Sequence, residues 1–455
     1  MCVIDERLTR ELVYIKIVAM NTSKPSSLML LNNAMLTFSM RFKPVFSCSI
    51  AAAVVHYAPD NGYIQEKPTT PEERAAEAIN RFMVKNGVPG LSIGVTVNGR
   101  KWWSNGFGYS DVEQGVKCSS NTVMRIASIS KSITATIAAR MMQEGKLCID
   151  EPITKYLSNL PKMSFNGESE VITSRQLLCH RGGIRHYTVK NTDKVLDKQV
   201  DDIKKDEDKE FLSNKNYKTV TEALEMFIHD PLIAKPGTKL NYTTHGYTLL
   251  SAVLEKAADK KLPKLYEQLF LELGMNNTCL DVNDRIIPHR TRYYRRTKNH
   301  RLENCPEVDN SYKWAGGGIL SNVHDLLKFA NAMLYSFQST DHSSPSPYLK
   351  TETLQTFWKG EDQLGPGEHE YGLGWGKCNH TERYGGLEKS ELAVRSGCHS
   401  GGAVGTTSFL LLKPTEAQCA ENKPNGICVA VLVNVQGCGE ISQIALEVAE
   451  IFSEC

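Results

Sequence analysis

Ser128 and Lys131 stand three positions apart where a predicted helix begins, and the pair could supply the nucleophile and the base of a covalent hydrolase. Residues three apart share one face of an α-helix, so the lysine amine can reach the serine hydroxyl. A serine hydroxyl reacts poorly until a base removes its proton, and a desolvated lysine can lose its own proton and act as that base. Taken alone, Ser-x-x-Lys is weak, because it more often marks an N-cap serine followed by an exposed lysine.

Two further short motifs follow it along the chain. Tyr242 lies in Leu-Asn-Tyr-Thr-Thr, after the turn Lys-Pro-Gly-Thr at 235–238, and residues 399–402 read His-Ser-Gly-Gly just before the first of two predicted C-terminal strands. Ser-x-x-Lys, then Tyr-x-[Ser/Thr/Asn], then [Lys/His]-[Ser/Thr]-Gly resembles the serine β-lactamase and penicillin-binding-protein class. Each motif is weak alone, but the ordered set on the expected elements is specific.

The resemblance covers roughly residues 70–452 and is to the class C branch of that class. Within it the chain is similar to the metazoan mitochondrial serine β-lactamase-like proteins, which are regarded as peptidase-like. The segments that carry this likeness are 128–132, 183–187, 245–250 and 309–334. Other landmarks are Gly-Val-Pro-Gly at 87–90, Gly-Lys-Leu at 145–147, Leu-Leu-Cys-His at 177–180 and Tyr-Gly-Leu-Gly-Trp-Gly at 371–376.

The resemblance implies a role for each motif. Ser128 would be the acylated nucleophile, Lys131 its proton partner, and Tyr242 the group that assists proton transfer to the leaving group. The backbone N–H groups of Ser128 and Gly402 would form the oxyanion hole. The substrate-binding and oxyanion side would consist of His399, Ser400, Gly401 and Gly402. Neither a metal nor an organic cofactor is implied.

Two positions depart from the pattern of the class. Thr244 stands where the tyrosine motif of the class C branch has an asparagine, so a side-chain amide that contacts substrate is missing. His399 replaces the lysine of the third motif, so its charge near pH 7 depends on its surroundings. Both changes weaken a clamp for a β-lactam carboxylate. We therefore predict a peptide or a small amide or ester as substrate. The sequence identifies no activator of the deacylating water.

The remaining histidines and glycines give weaker signals. His180 and His186 flank a Gly-Gly turn, but their spacing is not typical of a metal site, so structural roles are favoured. His245 is predicted to be packed and hydrogen-bonded, and Gly-Gly-Gly at 316–318 to allow close backbone packing near the site. Trp314 and Trp375 are predicted to lie in the core or in a pocket wall.

The elements that must position these residues can be predicted from periodicity. A capping box at Thr70 opens an amphipathic helix, Asn98-Gly99 joins two strand-like runs, and Gly145 is the expected stop of the helix that starts near Ser128. Residues 406–412 and 427–434 resemble buried strands, and an amphipathic helix follows them. The predicted fold is α/β (α+β), a central antiparallel sheet flanked by helices plus a mostly helical lobe.

The predicted organisation is a poorly ordered targeting segment at 1–62 and a hydrolase domain at 63–455. In that domain the sheet lobe would take about 70–145 and 385–455, and the helical lobe about 146–384. The charged stretch at 188–216 would be a solvated insertion. Residues 13–59 contain no acidic residue and many serines, which indicates a mitochondrial transit segment, and membrane association through this segment is the alternative.

Composition excludes some partners. Lys+Arg 53 against Asp+Glu 51 give a net charge of +2, so a nucleic-acid partner is not expected. Thirteen cysteines include no Cys-x-x-Cys pair, and most are predicted to be free thiols in a reducing compartment. The sequence thus predicts a mitochondrial serine hydrolase. An esterase of the same fold is one alternative, and a self-assembling structural protein, as a homo-oligomer or filament with little turnover, is the other.

Overall fold

The computed structural model of the protein describes residues 68–187, 210–340, 342–359, 371–377, 397–415 and 423–454. The predicted targeting segment and residues 188–209 of the predicted insertion lie outside these ranges. The helices are α1 (Pro71–Asn86), α2 (Ile129–Gln143), α3 (Ser174–Leu178), α4 (Val220–Leu224), α5 (Thr244–Ala258), α6 (Leu262–Glu272), α7 (Trp314–Gly317), α8 (Val323–Gln338), α9 (Thr351–Trp358) and α10 (Ile441–Ser453).

The main strands form a seven-stranded antiparallel sheet. In chain order the strands are β1 (Gly90–Val97), β2 (Arg100–Asp111), β3 (Val116–Lys117), β4 (Met124–Arg125), β5 (Ser164–Phe165), β6 (Glu168–Ser169), β7 (Cys279–Leu280), β8 (Tyr294–Arg296), β9 (Leu302–Asn304), β10 (Ile319–Ser321), β11 (Gly376–Lys377), β12 (Gly397–Ala403), β13 (Thr406–Pro414) and β14 (Gly426–Val433). The sheet order is β11-β12-β13-β14-β1-β2-β3. Since β1 pairs with β14, the two ends of the domain share one sheet, which confirms the predicted fold class.

Strand β14 shows how the sheet separates two hydrophobic cores. Alternate residues of a strand point to opposite faces, and every residue of β14 is buried. Ile427, Val429 and Val431 join the core under α1 and α10, whereas Cys428 and Ala430 join the larger core on the other face. A strand covered on both faces is apolar throughout rather than alternating, which explains its continuous hydrophobic sequence.

Helix α2 lies inside the larger core and begins next to Ser128. Twelve of its fifteen residues are buried, so it has no polar face. Three of its hydroxyl groups are satisfied within the fold. Thr134 Oγ1 and Thr136 Oγ1 donate to carbonyl oxygens four residues back, and Ser132 Oγ donates to Gly374 O. Ser130 Oγ, by contrast, bonds to none of the described residues. Lys131 is therefore carried into the interior on a helix that is almost entirely buried.

Strand β12 was not identified from the sequence as a strand. Residues 399–402 were predicted to precede a strand, but they lie on β12 and pair with β13, from Gly397↔Leu412 to Ala403↔Thr406. Glycine has low strand propensity, and here pairing with β13 outweighs it.

Of two other sequence interpretations, one is confirmed and one is corrected in part. Most cysteines in the described ranges form no disulfide, as predicted, and Cys398 is disulfide-bonded. The charged insertion was interpreted as solvated up to residue 216, yet the Glu210 side chain is only 17% exposed and forms ion pairs with the fold.

Among the helices of the described residues, none is both long and apolar enough to cross a membrane.

Candidate active site

Ser128 lies at a sharp turn between β4 and α2. The preceding residue, Ala127, has a φ of 49°, the left-handed conformation that residues with a side chain rarely adopt. Hydrogen bonds hold the turn from two sides: Ile126 N–H donates to Ile319 O at 3.0 Å, and Ser408 Oγ donates to Ile126 O at 2.8 Å. Such backbone strain persists only where the surrounding structure imposes it, and here it fixes the position of Ser128.

The Lys131 amine lies beside the Ser128 hydroxyl. Lys131 Nζ is 3.0 Å from Ser128 Oγ and donates to Gly316 O at 2.5 Å. The side chain is fully buried, and no described carboxylate lies within ion-pair distance of it. Burial, followed by the charge of Lys313, holds the pKa of Lys131 well below its ordinary value of 10.5. A neutral amine can donate to Gly316 O while its lone pair accepts the Ser128 proton.

Tyr242 lines the same pocket as Ser128. Its ring centroid is 4.8 Å from Lys131 Nζ and 4.1 Å from that of His180. The residue is 38% exposed, because one side opens to the pocket. The protein packed around the phenol raises its pKa above 10, and a hydrogen bond with Ser128 opposes this only in part. The phenol is therefore protonated at neutral pH, which suits a proton donor rather than a base.

A chain of hydrogen bonds joins His180, Tyr371 and His399 behind Tyr242. Thr243 N–H donates to His180 Nδ1 at 3.1 Å, so the His180 proton is on Nε2, which lies 3.3 Å from Tyr371 Oη. His399 Nδ1 lies 2.6 Å from Ser400 O, an acceptor only, so His399 Nε2 accepts from Tyr371 Oη at 3.0 Å. Both histidines are thus neutral tautomers with every ring nitrogen paired.

The pKa values agree with this assignment. Burial, with the Lys131 charge second, lowers the pKa of His399 to about 3 and that of His180 well below 6.5. His399 therefore carries no charge at neutral pH, unlike a lysine at the same place. The sequence did not determine the charge of His399, and the burial of its side chain does.

Strand β12 crosses directly over the Ser128 turn. A Cβ at Gly401 would overlap Ser408 Oγ and lie 2.6 Å from Ile126 O, so only glycine allows this approach. At Gly402, by contrast, a Cβ would meet no atom of the described residues within 4 Å, because this position faces the open pocket. Ser400 and Gly402 line that pocket together with Ser128. The structure therefore brings together all the residues predicted for the site.

The pocket has a volume of about 500 Å³ and includes residues that sequence analysis did not assign to the site. These unassigned lining residues include Tyr187, Phe211 and Lys313. Tyr187 and Lys313 belong to segments that carried the family resemblance, which was the available signal, whereas Phe211 lay in a stretch interpreted as solvated. Tyr371 likewise belonged to a segment of the family resemblance and was not assigned to the site.

The other residues considered from sequence have structural surroundings. His245 Nε2 lies 3.0 Å from Glu210 Oε2, which confirms a packed and hydrogen-bonded histidine, and His186 Nδ1 accepts from Thr244 N–H at the pocket wall. A Cβ at Gly316 would lie 2.7 Å from Thr244 Cγ2, as close packing requires. Trp375 lies in the core, and Trp314 is partly buried and packs against the core. No group of three His, Cys, Asp or Glu residues in the described ranges is arranged to hold a metal.

The serine that follows the strained Ala127, its buried lysine and the glycine-rich strand above them define the serine β-lactamase and penicillin-binding-protein class of folds. The family model Beta-lactamase matches residues 75–447, and the chain belongs to that family. It is 35% identical to the mitochondrial serine beta-lactamase-like protein LACTB of Homo sapiens, over 84% of this chain and 80% of that protein. Protein flp of Staphylococcus aureus is 25% identical over 74% of this chain and 60% of its own length.

Solved structures with the same fold include two informative cases. The octameric penicillin-binding protein homologue from Pyrococcus abyssi is 25% identical, with a TM-score of 0.63 over 84% of this chain and 77% of its own. A class C beta-lactamase is 18% identical, with a TM-score of 0.61 over 84% of this chain and 96% of its own. The second likeness concerns the fold alone.

Proposed function

We propose that the protein is a mitochondrial serine hydrolase that forms an acyl-enzyme on Ser128 and acts on a peptide or a small amide or ester. The observation that carries this proposal is the 3.0 Å approach of Lys131 Nζ to Ser128 Oγ, with the lysine fully buried and its pKa strongly lowered. The mitochondrial part is supported by the names of the mammalian relatives and by the acid-poor, serine-rich composition of residues 13–59.

The geometry supports the following acylation step. Neutral Lys131 takes the Ser128 proton as Oγ bonds to the substrate carbonyl carbon, and the carbonyl oxygen becomes an oxyanion. The backbone N–H groups of Ser128 and Gly402 are its proposed donors. When the intermediate collapses, the bond to the leaving group breaks, and protonated Lys131 returns its proton through the Tyr242 hydroxyl to the leaving group. Ser128 is left as an ester of the acyl group.

Deacylation reverses these proton movements with water as the nucleophile. Water adds to the ester carbonyl and gives one proton to Lys131, and the second tetrahedral intermediate releases the Ser128 oxygen. Lys131 then returns the proton to Ser128, so the products are a carboxylic acid and free enzyme. The neutral state of His399 removes the fixed cation that would hold a β-lactam carboxylate on β12, which favours other amides and esters as substrates.

Fluorophosphonate labelling tests this proposal. Wild type should be labelled at Ser128, Ser128→Ala should not be labelled, and Lys131→Ala should be labelled much more slowly. Ser130→Ala is the matched control, because Ser130 Oγ is buried on the same helix and bonds to none of the described residues. Folded wild-type protein that resists the probe, or label located on another serine, would contradict the proposed nucleophile.

Self-association is a second candidate function, compatible with the first. Residues 100, 101 and 103–105 of β2 pair with β1 but not with β3, and Trp102, which lies at a register shift in this pairing, is 46% exposed. Exposed strand edges with apolar side chains favour pairing between copies. The Pyrococcus abyssi homologue is octameric. If assembly depends on this edge, Trp102→Lys should abolish concentration-dependent sedimentation of larger species, whereas Ser128→Ala should leave it intact. Equal assembly of wild type and Trp102→Lys would exclude this edge.

A further inference from the structure

Lys313 is a buried cation at the wall of the active-site pocket. It is 3% exposed and lines the pocket together with Ser128. In the part of the chain that the structure describes, no hydrogen-bond acceptor and no carboxylate is within bonding distance of Lys313 Nζ. Aromatic rings surround it instead, with Nζ 4.9 Å from the centroids of Phe211 and Tyr312. An ammonium group buried without an anion is costly, so its retention needs an explanation.

The other cationic side chains near the pocket already have carboxylate partners. Arg185 forms a two-pronged ion pair with Glu210, at 2.9 Å for each nitrogen, and Arg125 pairs with Asp281 at 2.7 Å. Glu210 has a further partner, because it also forms a hydrogen bond with His245. None of the described carboxylates forms an ion pair with Lys313. When Lys313 is protonated, this wall of the pocket therefore carries a positive charge that no described residue pairs with.

Aromatic walls suit this arrangement. Ring faces attract a cation, so Phe211, Tyr312 and Tyr187 partly stabilise the ammonium group while the pocket is empty. They make no hydrogen bond to its N–H groups, which leaves the donors available to a ligand. A lysine ammonium is a compact point charge that binds carboxylate and phosphate oxygens.

We propose that Lys313 binds an anionic group of the substrate, a carboxylate or a phosphate, and that the pocket thereby selects anionic acyl compounds over neutral ones. This inference rests on the proposed function, because Ser128 and Lys313 line one pocket. It also explains why His399 on β12 can be neutral. The positive charge that binds the substrate anion comes from Lys313, in the 3-10 helix Ser311–Lys313, and not from β12.

The ionisation of Lys313 agrees with this role. Burial, with the Arg125 charge second, lowers its pKa to about 7, while Asp281 acts in the opposite direction. The free pocket therefore holds a mixture of neutral and charged lysine near neutral pH. A bound anion favours the charged form and raises the pKa, so the site becomes fully charged only with the ligand in place.

A matched pair of esters tests the selection. p-Nitrophenyl hydrogen glutarate and p-nitrophenyl valerate have acyl chains of equal length and differ by the terminal carboxylate. In Lys313→Met, the ratio of their kcat/KM values, anionic over neutral, should fall about tenfold or more, the effect of one lost charged hydrogen bond. Lys313→Arg should restore most of the ratio. Lys264→Met, an exposed lysine on α6, is the control and should keep it. A ratio within about twofold of wild type in Lys313→Met would overturn the inference.

A binding experiment separates this inference from the proposed chemistry. Calorimetry on Ser128→Ala protein, with glutarate and with inorganic phosphate as separate probes, distinguishes a carboxylate from a phosphate site. At least one probe should bind, and its affinity should fall about tenfold or more when Lys313→Met is added. If fluorophosphonate fails to label wild type but an anion binds through Lys313, the hydrolase proposal fails and the anion site stands. If neither probe binds, or if both variants bind equally, the anion site is wrong.

Discussion

At the scale of single residues, the chemistry depends on two lysines that share one pocket. Lys131 contacts the nucleophile and Lys313 does not, but the charge of Lys313 is the second cause of the lowered pKa of Lys131. The same residue that is proposed to recognise the substrate therefore also helps to keep the base neutral. Anion binding to Lys313 and base strength at Lys131 are coupled through this electrostatic interaction.

The coupling predicts a shift in the pH profile. The base must be neutral, so the rate of fluorophosphonate labelling falls as the pH drops below the pKa of Lys131. Lys313→Met removes a neighbouring positive charge and should raise that pKa, which moves the acid limb of the labelling profile to higher pH. Stopped-flow labelling across the pH range measures the limb. An unchanged limb in Lys313→Met would show that Lys313 does not influence the base, and Lys264→Met serves as the control.

Tyr371 is predicted to be a positioning residue. Its hydroxyl joins His180 and His399, and Tyr371→Phe leaves His399 Nε2 without its donor. We expect kcat/KM to fall about fivefold to tenfold, the value of one lost hydrogen bond. ¹⁵N spectra of the imidazoles supply a readout that a packing defect would not change: the His399 Nε2 signal should move toward that of a free acceptor. An unchanged Nε2 signal would contradict the tautomer assignment.

At the scale of elements, the site depends on β12 lying against the Ser128 turn. Gly401 and Gly402 are neighbours on one strand with opposite requirements. At Gly401 a side chain meets Ser408 and the Ile126 carbonyl, whereas at Gly402 it enters the open pocket. The identity of the first glycine thus follows from packing between a strand and the turn before α2, a contact between segments far apart in sequence.

The two glycines provide a matched pair of variants. Gly401→Ala should lower the free energy of unfolding by about 1–3 kcal/mol through overpacking and should slow Ser128 labelling, because β12 must move away from the turn. Gly402→Ala should keep near-wild-type stability, because no atom of the described residues lies within 4 Å of the Cβ that the substitution adds. Urea denaturation and labelling rates measured on both variants test this. Equal stability of the two would contradict the close approach of β12.

At the scale of the whole molecule, local sequence signals identified most elements but not the contacts between them. The capping box at Thr70, the Asn98-Gly99 turn and the apolar strands at the chain's end have short-range signatures, and the structure contains each of them. The Ser-x-x-Lys motif predicted that Ser128 and Lys131 lie where a helix begins, and Ser128 is the N-cap residue of α2. Lys313 could not be assigned, because its burial depends on Phe211 and Tyr187, rings that come from separate segments.

The domain boundaries likewise depend on contacts that local sequence signals do not identify. Residues 1–62 and 188–209 lie outside the described ranges, so the targeting segment stays a prediction. The end of the charged insertion was misread because composition gives no sign of a partner: Glu210 resembles any solvated glutamate until Arg185 and His245 are placed beside it. Sequence periodicity reports which face of an element is apolar, and it carries no information on ion pairs between distant segments.

Buried neutral histidines give the whole molecule a predictable sensitivity to acid. Burial lowers the pKa of four of them, His180, His186, His245 and His399, so each remains neutral in the folded state at a pH where it is protonated in the unfolded chain. The stabilising contribution is present above the unfolded value of 6.5 and is lost as the pH falls toward the folded value, which is about 3 for His186 and His399. Acid therefore favours unfolding through proton uptake.

The variant His399→Gln measures how much one of these histidines contributes to the pH dependence of stability. Between about pH 6 and pH 4, wild type loses about 1.4 kcal/mol of unfolding free energy per pH unit for each such histidine. The variant lacks one proton-binding site in the unfolded state, so its stability should fall less steeply by that amount. His229→Gln, which replaces an exposed histidine, is the control for the substitution itself. Urea titrations at several pH values measure the slopes. Equal slopes in His399→Gln and wild type would mean that His399 is already protonated in the fold, which would contradict both its neutral tautomer and the proposed transfer of the recognition charge to Lys313.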